Sequence, residues 1–179
     1  MPYLQKFVFD SPMLCVFYLG GKVEGCNIEM HDVVFAVGKS DIEISQKIKN
    51  KWCGIKTSLH VDSWFILASL NGFDVKITEI KPQSSTNHLY FVNLGSYKRN
   101  FFGENHFITF VVAQSRSQAI EQARREVSKG TEMLHTDNIY DIDECIRITE
   151  VDNYHIALEY TGIKKKLSII NGYQQLNYL

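Results

Sequence analysis

A block that begins near Leu14 recurs in step near Leu89, and this duplication constrains the fold more than any other feature of the chain. Leu19-Gly20 matches Leu94-Gly95, Glu29 matches Glu104, His31 matches His106, Phe35 matches Phe110, and Leu59-His60-Val61-Asp62 matches Leu134-His135-Thr136-Asp137. The offset is constant (94 − 19, 104 − 29 and 135 − 60 all give 75), which scattered chance matches would not produce. A fixed period of this kind marks a tandem repeat. Two copies that have otherwise drifted display, within one chain, the positions that the fold or its chemistry has retained.

The strand signals come first. Met13 to Leu19 (MLCVFYL) is almost wholly apolar and ends at Gly20-Gly21, as does its copy HLYFVNL at residues 88–94 before Gly95; both suit central strands buried on two faces. In Glu29 to Val37, side chains alternate with period two, so Glu29, His31, Val33, Phe35 and Val37 share one face. The copy repeats that face as Glu104, His106, Ile108, Phe110 and Val112, whereas the opposite face changes at every position. The retained face is therefore the constrained one. Its apolar end reads as core, and its Glu and His end requires a separate explanation.

Ser40-Asp41-Ile42-Glu43 and Ser115-Arg116-Ser117-Gln118 then read as capping boxes. Each opens a helix with a buried stripe, Ile44, Ile48 and Trp52 in the first and Ala119, Ala123 and Val127 in the second. After LHVDSW, Phe65–Leu70 and Phe73–Ile80 flank the hairpin signal Asn71-Gly72; in the copy, Glu144–Val151 and Tyr154–Tyr160 flank Asp152-Asn153. The offset there has grown to 81 (152 − 71), which places an insertion around Ile142–Arg147. The fold expected is α+β, a tandem duplication of a β-β-α-β-β unit related by a pseudo-twofold, with helices packed on mainly antiparallel sheet. Residues 13–80 form repeat 1, 81–87 a polar linker and 88–161 repeat 2, with extensions at 1–12 and 162–179. A unit this small buries too little surface to be secure alone, so the repeats are expected to pack together.

Composition removes several function classes. The chain has 179 residues, 45% of them apolar, with 19 basic against 20 acidic residues, and so lacks the field that holds polyanions; nucleic acid is not an expected partner. No run approaches the ~20 apolar residues of a membrane span, and the first residues lack the apolar stretch of a secretory signal. Cys15, Cys26, Cys53 and Cys145 form no CxxC pair and read as reduced thiols of a cytoplasmic protein.

Each repeat also holds a Glu-x-His on a strand and a His-x-Asp beyond the helix. Residues two apart in extended backbone point the same way, so each pair converges on one point. Two imidazoles and two carboxylates make a first shell for a divalent transition metal. The set is Glu29, His31, His60 and Asp62, with a weaker twin in Glu104, His106, His135 and Asp137. The alternative is structural: histidines donating to backbone carbonyls, and carboxylates capping turns. In the second copy the loop after the first strand reads Tyr97-Lys98-Arg99-Asn100-Phe101-Phe102, and Phe101 and Phe102 are expected to pack against the other repeat.

At LCVFYLGGKVEGCNIEMHDVVFAVG and again at LHVDSW the chain resembles a bacterial domain-of-unknown-function family, the one numbered fifteen forty-three, whose members carry the domain in one or two copies. The first copy is the better match, through YLGG, the E-x-HD at Glu29–Asp32 and LHVDSW at Leu59–Trp64; the second has Phe107 for Asp32 and Ile139 for Trp64. The resemblance implies a bacterial source and no particular activity. Two functional readings therefore stand. The first is a non-enzymatic binding module that takes a protein or small-molecule ligand in the groove between its repeats and needs no cofactor. The second is a metal-dependent enzyme of hydrolase type with its site in repeat 1, where a metal-bound water attacks and Glu29 or Asp62 is the base.

Overall fold

The structure, a computed structural model, describes residues 6–97, 100–130 and 141–176. The first half runs β1 (Val8–Gly21), β2 (Met30–Ser40), α1 (Asp41–Lys51), β3 (His60–Ile66), β4 (Ser69–Leu70) and β5 (Phe73–Thr78). The second runs β6 (His88–Tyr97), β7 (Glu104–Ala113), α2 (Arg116–Gly130), β8 (Asp141–Ile148), β9 (Glu150–Val151) and β10 (Tyr154–Tyr160), and β11 (Ile170–Gln175) follows. The fold is α+β, two helices on antiparallel sheets. Among the described residues, no helix is long and apolar enough to cross a membrane.

The strand order β11-β3-β1-β2 forms one sheet and β7-β6-β8 a second, while β4-β5-β10-β9 joins both halves in a third. One face of β1 carries Cys15, Phe17 and Leu19 against Ile44, Ile48 and Trp52 of α1. The other face carries Leu14 and Val16, which meet Leu89, Phe91 and Phe110 of the second half. Tyr90, Val92 and Leu94 of β6 likewise turn to Ala119, Ala123 and Val127 of α2. The two sheets thus stack face to face, each with its helix outside. Between them lies the retained face: Phe35 and Phe110 meet edge to face at 6.1 Å, and Phe91 and Phe65 lie 5.6 Å from Phe110.

Local chemistry explains where the elements begin and end. Ser40 Oγ accepts from the Glu43 amide and the Glu43 carboxylate accepts from the Lys39 amide; Ser115 and Gln118 repeat both bonds, the second to the Gln114 amide. Asn71 and Gly72 have φ of 51° and 87°, and Asp152 and Asn153 have 53° and 66°, the left-handed pairs that a two-residue hairpin requires. These turns also exchange bonds between the halves. Asn71 Oδ1 accepts from the Val112 amide at 3.1 Å, and Asp152 Oδ2 accepts from the Val37 amide at 2.9 Å.

Two details differ from the sequence reading. The expected hairpin strand Phe65–Leu70 is divided: Phe65 and Ile66 end β3, which pairs with β1, and only Ser69 and Leu70 pair with β5. The chain leaves the first sheet at Leu67, whose amide donates to the Leu14 carbonyl while its side chain is fully buried. Each half accordingly has one strand more than the expected β-β-α-β-β unit. Phe101 and Phe102, which follow β6 and precede β7, are both exposed instead of packed against the other repeat.

Truncating Phe110 to Ala should destabilise the protein by about 3–5 kcal/mol, since it leaves a cavity where four aromatic rings meet. Denaturant melts that place the loss under about 1 kcal/mol would show that the two sheets do not depend on this contact. All four thiols are free, Cys15 and Cys145 buried and Cys26 and Cys53 exposed; burial pushes the Cys15 thiol up to about 12 and raises Cys145. Ellman's reagent at pH 8 should therefore titrate Cys26 and Cys53 in the native protein and reach Cys15 and Cys145 only in denaturant.

Candidate functional site

The candidate ligands of repeat 1 gather over a glycine. In the antiparallel register Gly20 of β1 stands between His31 of β2 and His60 of β3, so three side-chain positions form one row across the sheet. The middle one is empty of side chain. A Cβ on Gly20 would lie 2.4 Å from His60 Nε2 and 3.0 Å from Asp62 Oδ2, which no folded structure tolerates unmoved. Glycine is thus the floor on which the flanking side chains lean together. The repeated Leu-Gly at 19–20 and 94–95 was the sequence signal for this, more informative than the strand end it resembles.

His60 is 2% exposed, held from below by its Nδ1 at 3.2 Å from the Ser58 carbonyl and from one side by the Tyr173 ring at 4.3 Å. An Nδ1–H donates to that carbonyl in the neutral Nδ1–H tautomer and in the imidazolium alike; in the neutral tautomer Nε2 is a lone pair. This nitrogen faces Glu29 Oε1 at 3.5 Å and Asp62 Oδ1 at 3.4 Å, while the other Asp62 oxygen lies 3.1 Å from His31 Nε2. Glu29, His31 and His60 each offer a ligand atom, all within 4.8 Å of one another. Acceptors turned towards one another are balanced by a second proton on an imidazole or by a cation among them. Donor atoms on a tetrahedral ion with bonds of about 2.0–2.1 Å stand about 3.3 Å apart, close to the separations seen here.

The surroundings favour a fixed geometry. Tyr18 stacks on His31 at 5.3 Å and 11°, and its phenol is raised first by burial and then by the Asp62 charge. Tyr173 comes from β11, where the pairing with β3 slips between Asn171 and Gln174; the Gln175 amide donates to its hydroxyl at 3.3 Å. The sequence reading did not include Tyr173, since nothing local ties a C-terminal residue to β3. His31 also lines a cleft of about 400 Å³ between the repeats, with Phe35 and Phe91 at its apolar floor and His106 opposite. A second cavity of about 440 Å³, lined by apolar side chains such as Phe65, Leu70 and Phe110, meets this cleft at Tyr18, Val33 and Ile108.

In repeat 2 the structure groups Glu104, His106 and Asp143. The register explains the last of these. Gly95 pairs with Asp141 and Leu94 with Ile142, as Gly20 pairs with His60 and Leu19 with Val61, and both pairings slip at the same place, Asn93/Leu94 and Tyr18/Leu19. Asp143 is therefore the counterpart of Asp62, at an offset of 81 (143 − 62), and the insertion precedes β8 instead of lying within it. The LHTD segment at 134–137, with His135 and Asp137, lies outside the described residues.

Replacing Gly20 by Ala should displace the His60 ring and lower stability by about 1–3 kcal/mol, the usual cost of overpacking. Imidazole NMR resonances of His60 that do not move, with an unchanged melt, would show that the glycine is not this floor.

No curated protein matches the chain. A crystal structure of a protein Il1583 from Idiomarina loihiensis is similar, with a TM-score of 0.72 and 32% sequence identity over 93% of this chain and 99% of that one. The family model described as Domain of Unknown Function (DUF1543) matches residues 26–77 and again 102–158, which include every residue of the two His/carboxylate clusters. With both halves matched and a full-length relative of this identity, the chain belongs to the DUF1543 family, in two tandem copies.

Proposed function

We propose that the protein is a ligand-binding module whose groove is organised by a divalent transition metal held in repeat 1 by Glu29, His31, His60 and Asp62. The observation that carries this reading is His60 Nε2 facing two carboxylates at 3.4 and 3.5 Å, over a glycine that leaves room for an ion between them. The buried ring with its Nδ1–H on a backbone carbonyl is the arrangement that orients metal-binding histidines generally. Such an ion ties the segment before β2, through Glu29, to β2 and β3, and so fixes one rim of the cleft that His31 lines.

Four protein donors favour binding over hydrolysis. Catalytic zinc sites keep a coordination position open with three protein ligands; with Asp62 taken as a fourth donor beside Glu29, His31 and His60, whose ligand atoms lie within 4.8 Å of one another, both carboxylates are donors and neither is left as a base. The groove itself is read as lying about a pseudo-twofold between two β-β-α-β-based units. Supporting this are the contact of Phe35 with its counterpart Phe110, and the pairing of Lys76 with its counterpart Ala157 at the middle of β5 and β10.

Protein purified without a histidine tag, stripped with chelator and titrated with zinc should show a saturable rise in melting temperature. A ligand confined to the folded state stabilises by about 2.7 kcal/mol at a hundredfold excess over its dissociation constant. His60→Ala should abolish the response. A wild-type melt indifferent to zinc, manganese and nickel would overturn the metal reading. Turnover of esters or phosphoesters by the zinc-loaded protein would replace binding with hydrolysis.

A further inference from the structure

We infer that the cavity of about 440 Å³ between the repeats binds a small amine with an apolar body, the body between Phe65, Leu70 and Phe110 and the ammonium on Glu126. The inference deepens the binding reading above by naming a ligand class, and it rests on that reading without its metal. The cavity is one of two equivalent corners of the sheet stack. Ile108, Thr109, Phe110, Glu126, Leu70 and Asn71 line it, and their counterparts Val33, Val34, Phe35, Lys51, Val151 and Asp152 line the other, a space of about 390 Å³. The offsets are those of the duplication, 75 for the strand and helix (126 − 51) and 81 for the hairpin (152 − 71).

The two corners differ in charge. In the smaller one Lys51 Nζ lies 2.5 Å from Asp152 Oδ1 and donates to the Phe35 carbonyl at 2.6 Å, so the chain supplies both members of an ion pair. In the larger one Glu126 stands for Lys51 and Asn71 for Asp152. Asn71 keeps the hairpin's bond to a strand amide, but the cation is gone. Among the described residues that line the cavity, Glu126 is the one with a charge; its Oε2 accepts from Thr109 Oγ1 at 2.7 Å, and no described cation pairs with it. With its proton given to the carboxylate, the Thr109 hydroxyl is an acceptor as well. Neighbouring acceptors with an unbalanced negative charge suit an ammonium, which brings three N–H donors and the missing cation.

The corners differ in cover too. Segment 161–169, between β10 and β11, crosses the larger one alone and adds Leu167 and Ile169 to its lining. The crossing is anchored: the Thr161 and Gly162 amides donate to the Gly72 carbonyl, each at 2.9 Å, and Lys165 Nζ donates to Asp74 Oδ1 at 3.2 Å. Leu167 packs on the apolar cluster between the sheets, while Phe65 and Phe110, their ring centroids 5.6 Å apart and near perpendicular, make a rigid aromatic wall. A covered apolar space of this volume with a few polar groups is the usual form of a small-molecule site. Glu126 is exposed, so an amine on it keeps part of its hydration while its hydrocarbon leaves water. The cavity meets the cleft at Tyr18, Val33 and Ile108, which places such a ligand beside the groove proposed above.

The test uses the full chain, chelator-stripped, and follows three probes of matched length by isothermal titration calorimetry: phenylbutylamine, phenylbutanol and phenylbutyrate. Phenylbutylamine should bind at one per chain and about fivefold more tightly than phenylbutanol, the upper end for an exposed ion pair, with phenylbutyrate the weakest. Glu126→Gln, at an exposed position, should bring amine and alcohol to equal affinity, and Leu70→Trp, which fills the cavity, should abolish binding of both. Ligand protons should show nuclear Overhauser contacts to the Phe65 and Phe110 rings of the wild type, a readout independent of whether Leu70→Trp folds. No saturable amine binding, an alcohol bound as tightly as the amine, a preference that survives Glu126→Gln, or contacts to other rings instead would each overturn the inference. Amine binding by a protein indifferent to zinc would sustain it and refute the metal of repeat 1; a zinc response without amine binding would do the reverse.

Discussion

Everything in this molecule depends on the packing of the two retained strand faces against each other. Each repeat covers one side of its sheet with its own helix, and the other side, Leu14, Val16, Phe35 and Val37 in the first and Leu89, Phe91, Phe110 and Val112 in the second, has only the partner repeat to cover it. Aromatic rings meeting edge to face at 5.6 and 6.1 Å add geometry to the burial. Neither repeat has an alternative way to remove that surface from water, so the duplicated chain folds as one body.

Two further devices hold the halves in register. The hairpins cross over, so that β5 pairs with β10 in a shared sheet. Each hairpin turn also lends a side-chain oxygen to a strand amide of the other half, Asn71 to Val112 and Asp152 to Val37. Asp152 also pairs with Lys51 at the end of α1. These bonds satisfy amides at the closed end of the sheet stack, where an orphaned donor would cost about 1–3 kcal/mol. At the other end no such strap closes the sheets among the described residues, and there the cleft opens between His31 and His106.

The polar ends of the two faces have diverged around a common floor. Both keep a central-strand glycine, a Glu-x-His at the start of one neighbouring strand and an aspartate on the other. Repeat 1 adds the buried His60 and is walled by Tyr173 from β11, a strand that joins its sheet alone; the sheet of repeat 2 has three strands, and Asp141 stands in the register position of His60. A duplicated scaffold has thus placed two chemically different clusters on opposite walls of one cleft.

The sequence by itself determined the duplication, the capping boxes, the helix stripes, the turns at Asn71-Gly72 and Asp152-Asn153, and the face on which Glu29 and His31 sit. All of these follow from periods and local hydrogen bonds that operate within a few residues. It also brought His60 and Asp62 into the candidate set, because their spacing suits a strand. Tertiary structure alone decided that Asp143 stands in the register position of Asp62, that Leu67 turns the chain out of the first sheet, that Tyr173 covers His60, and that Phe101 and Phe102 stay exposed. The physical reason is common to all four. Strand register is set by pairing across the sheet and not by the letters along the chain, and an insertion upstream of a strand shifts its string match while leaving its hydrogen-bond partners where the core requires them.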